Sequence, residues 1–303
     1  MGRNIVQKAN EQGKKEEEDA PDPQKANRQW SRSVGVRFLT AGVAIPIVLV
    51  SLWLGGWWAF AVAALASGLS IRELDTMMRH EGYHPVILVS YALAALFLVA
   101  AMLLPQQRLP LLEIGISAAL LITFPTLFFR KKLEGAMLDW SLTMAIALYV
   151  GWPMSFLLLL RGYQVGLGAG LWWLLTVFGG VWGFDTGAFF AGHFFGRHKL
   201  APLISPGKTW EGVFGGLVFS IAAALLFTTL PMGIPWYLAV PFGLVLGVAA
   251  VLGDLAESLI KRQTHVKDSG QIMPGHGGML DRLDSILFAV LVVYIFAQLL
   301  GRV

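Results

Sequence analysis

Residues 253–285 read GDLAESLIKRQTHVKDSGQIMPGHGGMLDRLDS, and they gather many charged side chains into a short stretch. These are Asp254, Glu257, Lys261, Arg262, Lys267, Asp268, Asp281, Arg282 and Asp284. The whole chain is 56% hydrophobic and only 14% charged, and apolar runs at 236–258 and 285–302 border the stretch. Charges held between two runs of membrane-spanning length predict a site that acts on a charged ligand at a membrane surface.

Outward from this stretch, apolar runs recur along the chain, whose mean hydropathy is +0.64. A spanning helix needs roughly 20 apolar residues, and such runs lie near 38–55, 57–71, 85–104, 110–128, 136–160, 171–192, 212–231, 236–258 and 285–302. Lipid leaves exposed backbone groups unsatisfied, so the runs predict helices. We therefore predict an all-α integral membrane protein with about nine transmembrane helices. There is no cysteine, which excludes disulfides and thiolate metal sites.

The positive charges are distributed unevenly between alternate connections. All but three of the 23 Lys and Arg residues fall in the N-terminal tail or in connections on its side; the exceptions are Arg108, Arg161 and Arg302. The positive-inside rule then predicts a cytoplasmic N-terminus, a C-terminus on the outer side, and a cytoplasmic position for residues 253–285. This topology explains the pI near 9.4 without a nucleic-acid partner.

Three regions follow from composition. Residues 1–33 have too few apolar groups to fold, so they predict a disordered cytoplasmic tail. Residues 34–165 are interpreted as transmembrane scaffold helices, and residues 166–303 as the catalytic transmembrane region. Within the scaffold, residues 72–84 (RELDTMMRHEGYH) are charged enough to predict an amphipathic surface segment or a solvated connection.

Two features precede the charged stretch. Asp185 lies late in an apolar run, where an ionisable group is costly and indicates function. The small residues that follow it, Gly187, Ala188, Ala191 and Gly192, predict close approach of a neighbouring helix.

The connection at 196–212 predicts a phosphate-binding helix terminus. We expect Ser205 to cap a helix that starts near Pro206, with Lys208 and Thr209 at its positive end. A nucleotide-binding P-loop is excluded, because Pro202 stands where that motif needs glycine and no strand pattern precedes it.

Helical spacing divides the charged stretch into two faces. Asp254, Glu257, Ser258 and Lys261 recur at i, i+3, i+4 and i+7, and Asp281, Asp284 and Ser285 repeat i, i+3 and i+4. The connection between them is rich in glycine, so the two acidic faces can fold together. Carboxylates without cysteine suit a hard cation such as Mg²⁺, and nearby basic residues suit phosphates. Together they predict phosphoryl or nucleotidyl transfer.

The same residues resemble the signature of the phosphatidate cytidylyltransferase (CDP-diacylglycerol synthase) family. That pattern runs Ser-x-x-Lys-Arg, four residues, Lys-Asp, and later Pro-x-His-Gly-Gly-x-x-Asp-Arg-x-Asp. Its residues match here at Ser258, Lys261, Arg262, Lys267, Asp268, Pro274, His276, Gly277, Gly278, Asp281, Arg282 and Asp284. Met273 is a mild departure, since Leu, Ile or Phe is usual there. The stretches at 185–188 and 205–212 also resemble family elements.

The resemblance implies that phosphatidate attacks the α-phosphorus of CTP, which gives CDP-diacylglycerol and pyrophosphate. It implies Mg²⁺, with K⁺ as a possible second cation, held by Asp254 and Asp281 with Glu257, Asp284 and Asp185 as further candidates. The implied catalytic residues are Asp254, Asp281, Lys261 and Asp284. The implied substrate-binding residues are Ser205, Lys208, Thr209, Arg262, Lys267, His276, Gly277, Gly278 and Arg282. The bacterial inner membrane and a possible homodimer are family-level expectations.

Two other interpretations remain open from the residues. A transporter with intramembrane charges predicts inverted repeats of broken helices, but the charges crowd into the last third of the chain. A phosphosugar transferase acting on a polyprenyl phosphate shares the Mg²⁺, the acids and the topology. Only the specific motif argues against it.

Overall fold

The apolar runs form helices. A computed structural model describes residues 42–43, 45–103, 105–129, 133–162, 168–272 and 277–302. Within these residues the helices are α1 (Ile45–Leu54), α2 (Gly56–His80), α3 (Ile87–Ala101), α4 (Pro105–Thr126), α5 (Ala136–Arg161), α6 (Ala169–Phe195), α7 (Trp210–Met232), α8 (Trp236–Gln263) and α9 (Leu280–Leu299). Each of the nine predicted runs overlaps one of them. The predicted tail at 1–33 lies outside the described residues.

Five of these helices are long and apolar enough to cross a membrane: α4, counted as Gln106–Phe129, and α5 to α8. The helices α1 and α3 are apolar but shorter. The chain is therefore a mostly helical membrane protein, while nine spans and the orientation of the termini stay predictions. The mostly helical structure is consistent with the all-α prediction, and the exception is a short hairpin, in which strands β1 (Lys199–Ala201) and β2 (Ser205–Thr209) pair antiparallel between α6 and α7.

The core is centred on α6, α8 and α9. Trp173 of α6 is fully buried, and its ring meets those of Phe242 and Phe296 edge to face at centroid distances of 6.4 and 6.1 Å. The last two rings stack on each other at 4.0 Å. Such large aromatic contacts contribute strongly to packing, so they fix α8 and α9 against α6.

Small residues let α6 and α7 approach closely. A Cβ at Gly187 would lie 2.6 Å from the carbonyl oxygen of Gly215, and one at Gly192 would lie 3.7 Å from the Cα of Gly212. This confirms that the small residues after Asp185 admit a neighbouring helix. Lys208 of the β1–β2 hairpin (residues 199–209) lines a cavity together with Asp185, so the hairpin lies beside this part of α6.

Of the two interpretations of residues 72–84, a solvated connection was wrong over residues 72–80. Helix α2 continues through to His80, and Glu73 and Asp75 are buried rather than solvated. The carboxylate of Glu73 accepts backbone hydrogen bonds from the start of α9, which satisfies its charge away from water. The scaffold helix α2 therefore reaches the charged stretch.

Candidate active site

Helices α8 and α9 meet closely at Gly253. A Cβ there would collide with the carbonyl oxygen of Asp284 and would lie 3.0 Å from the Cα of Ser285. Asp254 comes next on α8, and its carboxylate interacts electrostatically with that of Asp284. The packing joins the acidic faces of the two helices into one cluster.

Lys261 lies between two carboxylates. Its Nζ atom is 2.6 Å from Oε2 of Glu257 and 2.7 Å from Oδ1 of Asp281. Glu257 is fully buried, and a buried carboxylate without a partner is costly. The ammonium group offsets that cost and ties the end of α8 to the start of α9. Among the described residues, Oε1 of Glu257 has no hydrogen-bond partner.

The second oxygen of Asp281 is held by the connection that precedes α9. Its Oδ2 accepts the backbone N–H of Ser269 at 2.9 Å and that of Gly278 at 2.8 Å. Gly277 has φ 82°, a conformation that favours glycine, and a Cβ there would lie 2.6 Å from the same oxygen. The glycines of the motif thus let the backbone close around Asp281.

The prediction that Ser205 caps a helix near Pro206 was wrong. Residues 205–209 form strand β2, and α7 begins only at Trp210. The cap is Thr209, whose Oγ1 accepts the backbone N–H of Gly212 at 3.2 Å. Antiparallel pairing with β1 satisfies backbone N–H and C=O groups of residues 205–209, so these residues do not need to form a helix. The spacing of residues along the chain does not reveal this pairing.

Lys208 joins the hairpin to α8. Its Nζ lies 2.5 Å from Oδ2 of Asp254. Farther along α8, Nε of Arg262 donates to the carbonyl oxygen of Ile204 at 3.1 Å. The hairpin is therefore fixed to α8 by two basic side chains.

A cavity of about 470 Å³ lies beside the Lys208–Asp254 pair. Its wall combines these two side chains with Asp185 of α6 and apolar side chains such as Phe184. Asp185 is exposed, and its charge interacts with those of Asp254, Lys208 and Arg282. The cavity therefore offers charged groups and an apolar wall to the same ligand.

The remaining predicted residues are spread around this centre. Lys267 is exposed on the connection between α8 and α9, and Arg282 is exposed in the first turn of α9. His276 lies outside the described residues. The structure thus brings together Asp185, Lys208, Asp254, Glu257, Lys261, Asp281 and Asp284. Gly277 and Gly278 adjoin Asp281, and Thr209 lines the same cavity as Lys208.

Carboxylate oxygens dominate the cluster, and oxygen atoms are the ligands that a hard cation prefers. In the chain as described, no group of three or more His, Asp and Glu residues is arranged to hold a metal ion. Asp254 and Asp281 pair instead with Lys208 and Lys261. The free Oε1 of Glu257 remains an unpartnered buried acceptor. The donor set fits Mg²⁺ in its chemistry, with lysine ammonium groups balancing the carboxylates.

Sequence reasoning missed Glu73 and Ser269. Glu73, on α2, accepts the backbone N–H of Met279 at 2.8 Å and that of Leu280 at 2.9 Å. The hydroxyl of Ser269 lies 3.0 Å from Oε2 of Glu73 and 2.9 Å from Oδ2 of Asp281. The only local signal for Glu73 was an acid two residues after the apolar run at 57–71, and helical surface segments also show such acids.

Known proteins share sequence with this chain over most of its length. A sequence model described as "Cytidylyltransferase family" matches residues 35–300. A Synechocystis protein named phosphatidate cytidylyltransferase is 33% identical over 296 residues, which cover 87% of this chain and 96% of that protein.

Similar figures hold for relatives from other organisms. The phosphatidate cytidylyltransferase of Staphylococcus epidermidis is 36% identical over 261 residues, covering 84% of this chain and 95% of the relative. The Arabidopsis thaliana protein named phosphatidate cytidylyltransferase 5, chloroplastic, is 34% identical over 315 residues, covering 94% and 77%. With the match extending over nearly all of the helical region, this chain belongs to the cytidylyltransferase family.

Proposed function

We propose that this protein is a phosphatidate cytidylyltransferase, which converts CTP and phosphatidate to CDP-diacylglycerol and pyrophosphate. The observation that carries the proposal is the pairing of two lysines, Lys208 and Lys261, with Asp254 and Asp281 around adjoining ends of α8, α9 and the hairpin. Ammonium groups balance phosphate charge, and carboxylates balance metal charge. A site that holds both suits nucleotidyl transfer, where charge stabilisation and positioning do most of the work.

The reaction needs no covalent enzyme intermediate. An anionic phosphate oxygen of phosphatidate attacks the α-phosphorus of CTP, and the bond from that phosphorus to the oxygen bridging to the β-phosphate breaks. The electron pair leaves with pyrophosphate. Lys208 and Lys261 would exchange their carboxylate partners for phosphate oxygens of the substrates, which stabilises the charge that moves onto the leaving group.

Mg²⁺, when bound, would neutralise phosphate charge and polarise the reacting phosphorus. We infer that Asp254 and Asp281 hold it, with Glu257, Asp284 and Asp185 as further oxygen donors. Because Mg²⁺ is held by one or two protein carboxylates plus substrate phosphates, it does not need a complete protein cage. K⁺ as a second cation belongs to the same proposal.

The cavity suits a lipid phosphate. Its apolar wall at Phe184 continues into a membrane-length helix, α6, while Lys208 stands at its polar end. An acyl chain can remain among the helices as the phosphate reaches the lysine. We extend the proposal to the inner membrane of a bacterium, with nine spans, a cytoplasmic N-terminus and active site, an outer C-terminus, and assembly as a homodimer.

The test is a transfer assay on the purified protein in detergent. When labelled CTP is mixed with phosphatidate and Mg²⁺, labelled lipid should form and pyrophosphate should be released in an equal amount. The control variant Gly68→Ala should keep the activity, because a Cβ at Gly68 of α2 meets nothing within 4 Å. Absence of label in lipid with Mg²⁺, Mn²⁺ or Co²⁺ would refute the proposal. Transfer of a phosphosugar to a polyprenyl phosphate by the same preparation would replace it with the rival enzyme.

A further inference from the structure

Glu73 is a buried acid from a helix outside the predicted catalytic region. Only 4% of its surface is exposed, although it lies about 200 positions before its partners on α9. Its two carboxylate oxygens accept separate backbone N–H groups, Oε1 from Met279 and Oε2 from Leu280. These groups start α9 and have no intrahelical partners, so a negative charge there is favourable.

The connection before α9 is shaped around this carboxylate. A Cβ at Gly270 would lie 2.6 Å from Oε1 of Glu73, and one at Gly278 would lie 2.5 Å from Oε2. Only glycine leaves room for the carboxylate at both places. In the described residues of this connection, 269–272 and 277–281 (the turn), the Glu73 carboxylate therefore lies between Gly270 and Gly278.

Ser269 connects Glu73 to Asp281. Its hydroxyl is within hydrogen-bond distance of both carboxylates, at 3.0 and 2.9 Å, and can donate its one proton to either. Its backbone N–H also donates to Asp281, as does that of Gly278. The groups that orient Asp281 are thus on the turn that Glu73 holds.

We propose that Glu73 is a positioning residue for nucleotidyl transfer, which fixes residues 269–270 and 277–281 so that Asp281 and Lys261 are held where they meet the metal and the substrate phosphates. This inference rests on the proposed function for its kinetic consequence. Its structural basis, the anchoring of the turn by α2, stands independently. Glu73 touches no reacting atom; it acts through the backbone of the turn and through Ser269.

The test uses Glu73→Gln in the full-length protein. The amide nitrogen of Gln cannot accept a hydrogen bond, so one backbone N–H at the start of α9 loses its partner. Supporting groups of this kind change activity or metal affinity by roughly 10- to 100-fold. We expect kcat/KM for CTP to fall by that factor, and the half-saturating Mg²⁺ concentration to rise. Amide hydrogen exchange in residues 277–283 should become faster.

Two further variants make the result decisive. Glu113→Gln changes an exposed acid on α4 and should leave every measurement unchanged. Ser269→Ala removes the hydroxyl but keeps the Glu73 contacts with α9, and should shift the same measurements in the same direction by about 5-fold, as expected for one hydrogen bond. It also serves if Glu73→Gln does not fold.

The alternative outcomes are distinct. If activity of Glu73→Gln falls only with the folded fraction, and both KM for CTP and the Mg²⁺ requirement match wild type, Glu73 is merely structural and the proposal fails. Unchanged hydrogen exchange at 277–283 overturns the anchoring itself. If the wild-type protein transfers no CMP, the proposed function fails, whereas the exchange measurement still decides whether Glu73 holds the turn.

Discussion

The Nζ atom of Lys261 lies 2.7 Å from Oδ1 of Asp281 and so joins the end of α8 to the start of α9. Both side chains are largely shielded, at 16% and 9% exposure. A charge pair in this setting is costly to break from one side, because the remaining charge stays buried without a partner. The importance of this pair for stability and activity can be tested by changing either residue, or the contact between α8 and α9 that brings them together.

Lys261→Met should abolish transfer and destabilise the protein by about 3 kcal/mol, since Glu257 and Asp281 would lose their shared cation. Unfolding in detergent followed by tryptophan fluorescence measures the second effect. The double variant Lys261→Met/Glu257→Gln should recover much of the stability without recovering activity. Equal stability of the single and double variants would contradict the proposed charge balance.

Asp281→Asn should remove turnover and leave the protein folded. An amide keeps the size of the side chain, but its nitrogen cannot accept the bonds from Lys261 or from the turn. Transfer activity and elution from a size-exclusion column give the two measurements. Activity near that of wild type would remove Asp281 from the catalytic site.

Lys208→Gln should raise KM for CTP or phosphatidate by at least 10-fold with little change in stability. The pair with Asp254 is partly exposed, at 22% and 31%, and partly exposed ion pairs contribute little to folding. Lys199→Gln, an exposed lysine of the same hairpin, is the matched control. Equal effects of both variants would indicate a general loss of positive charge rather than a specific role for Lys208.

Gly253→Ala should separate α8 from α9 and reduce activity at least 10-fold, because the added methyl group collides with the backbone at Asp284. Stability to unfolding and transfer activity should both fall, since this contact also joins the acidic faces of the two helices. Gly68→Ala, in open space on α2, controls for the change in helix propensity. If the two glycine variants behave alike, the close contact at Gly253 has no functional importance.

Much of the architecture follows from local sequence. The length of each apolar run determined where helices form, because a membrane-length apolar segment satisfies its backbone groups only within itself. Spacing at i, i+3, i+4 and i+7 placed Asp254 with Lys261, and spacing at i and i+3 placed Asp281 with Asp284, on shared helical faces. The motif at 258–284, which includes Lys261 and Asp281, indicated the family without information on contacts.

Tertiary structure decided what these residues touch. Strand pairing at 205–209 replaced the expected helix, since Lys199 and Thr209 become partners only once the chain turns back. Glu73 joined the site through contacts about 200 residues away, which no periodicity encodes. The charged stretch at 253–285 was therefore recognisable from sequence because helix formation and charge are local properties. The pairs Lys208–Asp254 and Lys261–Asp281 and the anchor on α2 depend on packing between distant segments, which local sequence does not encode.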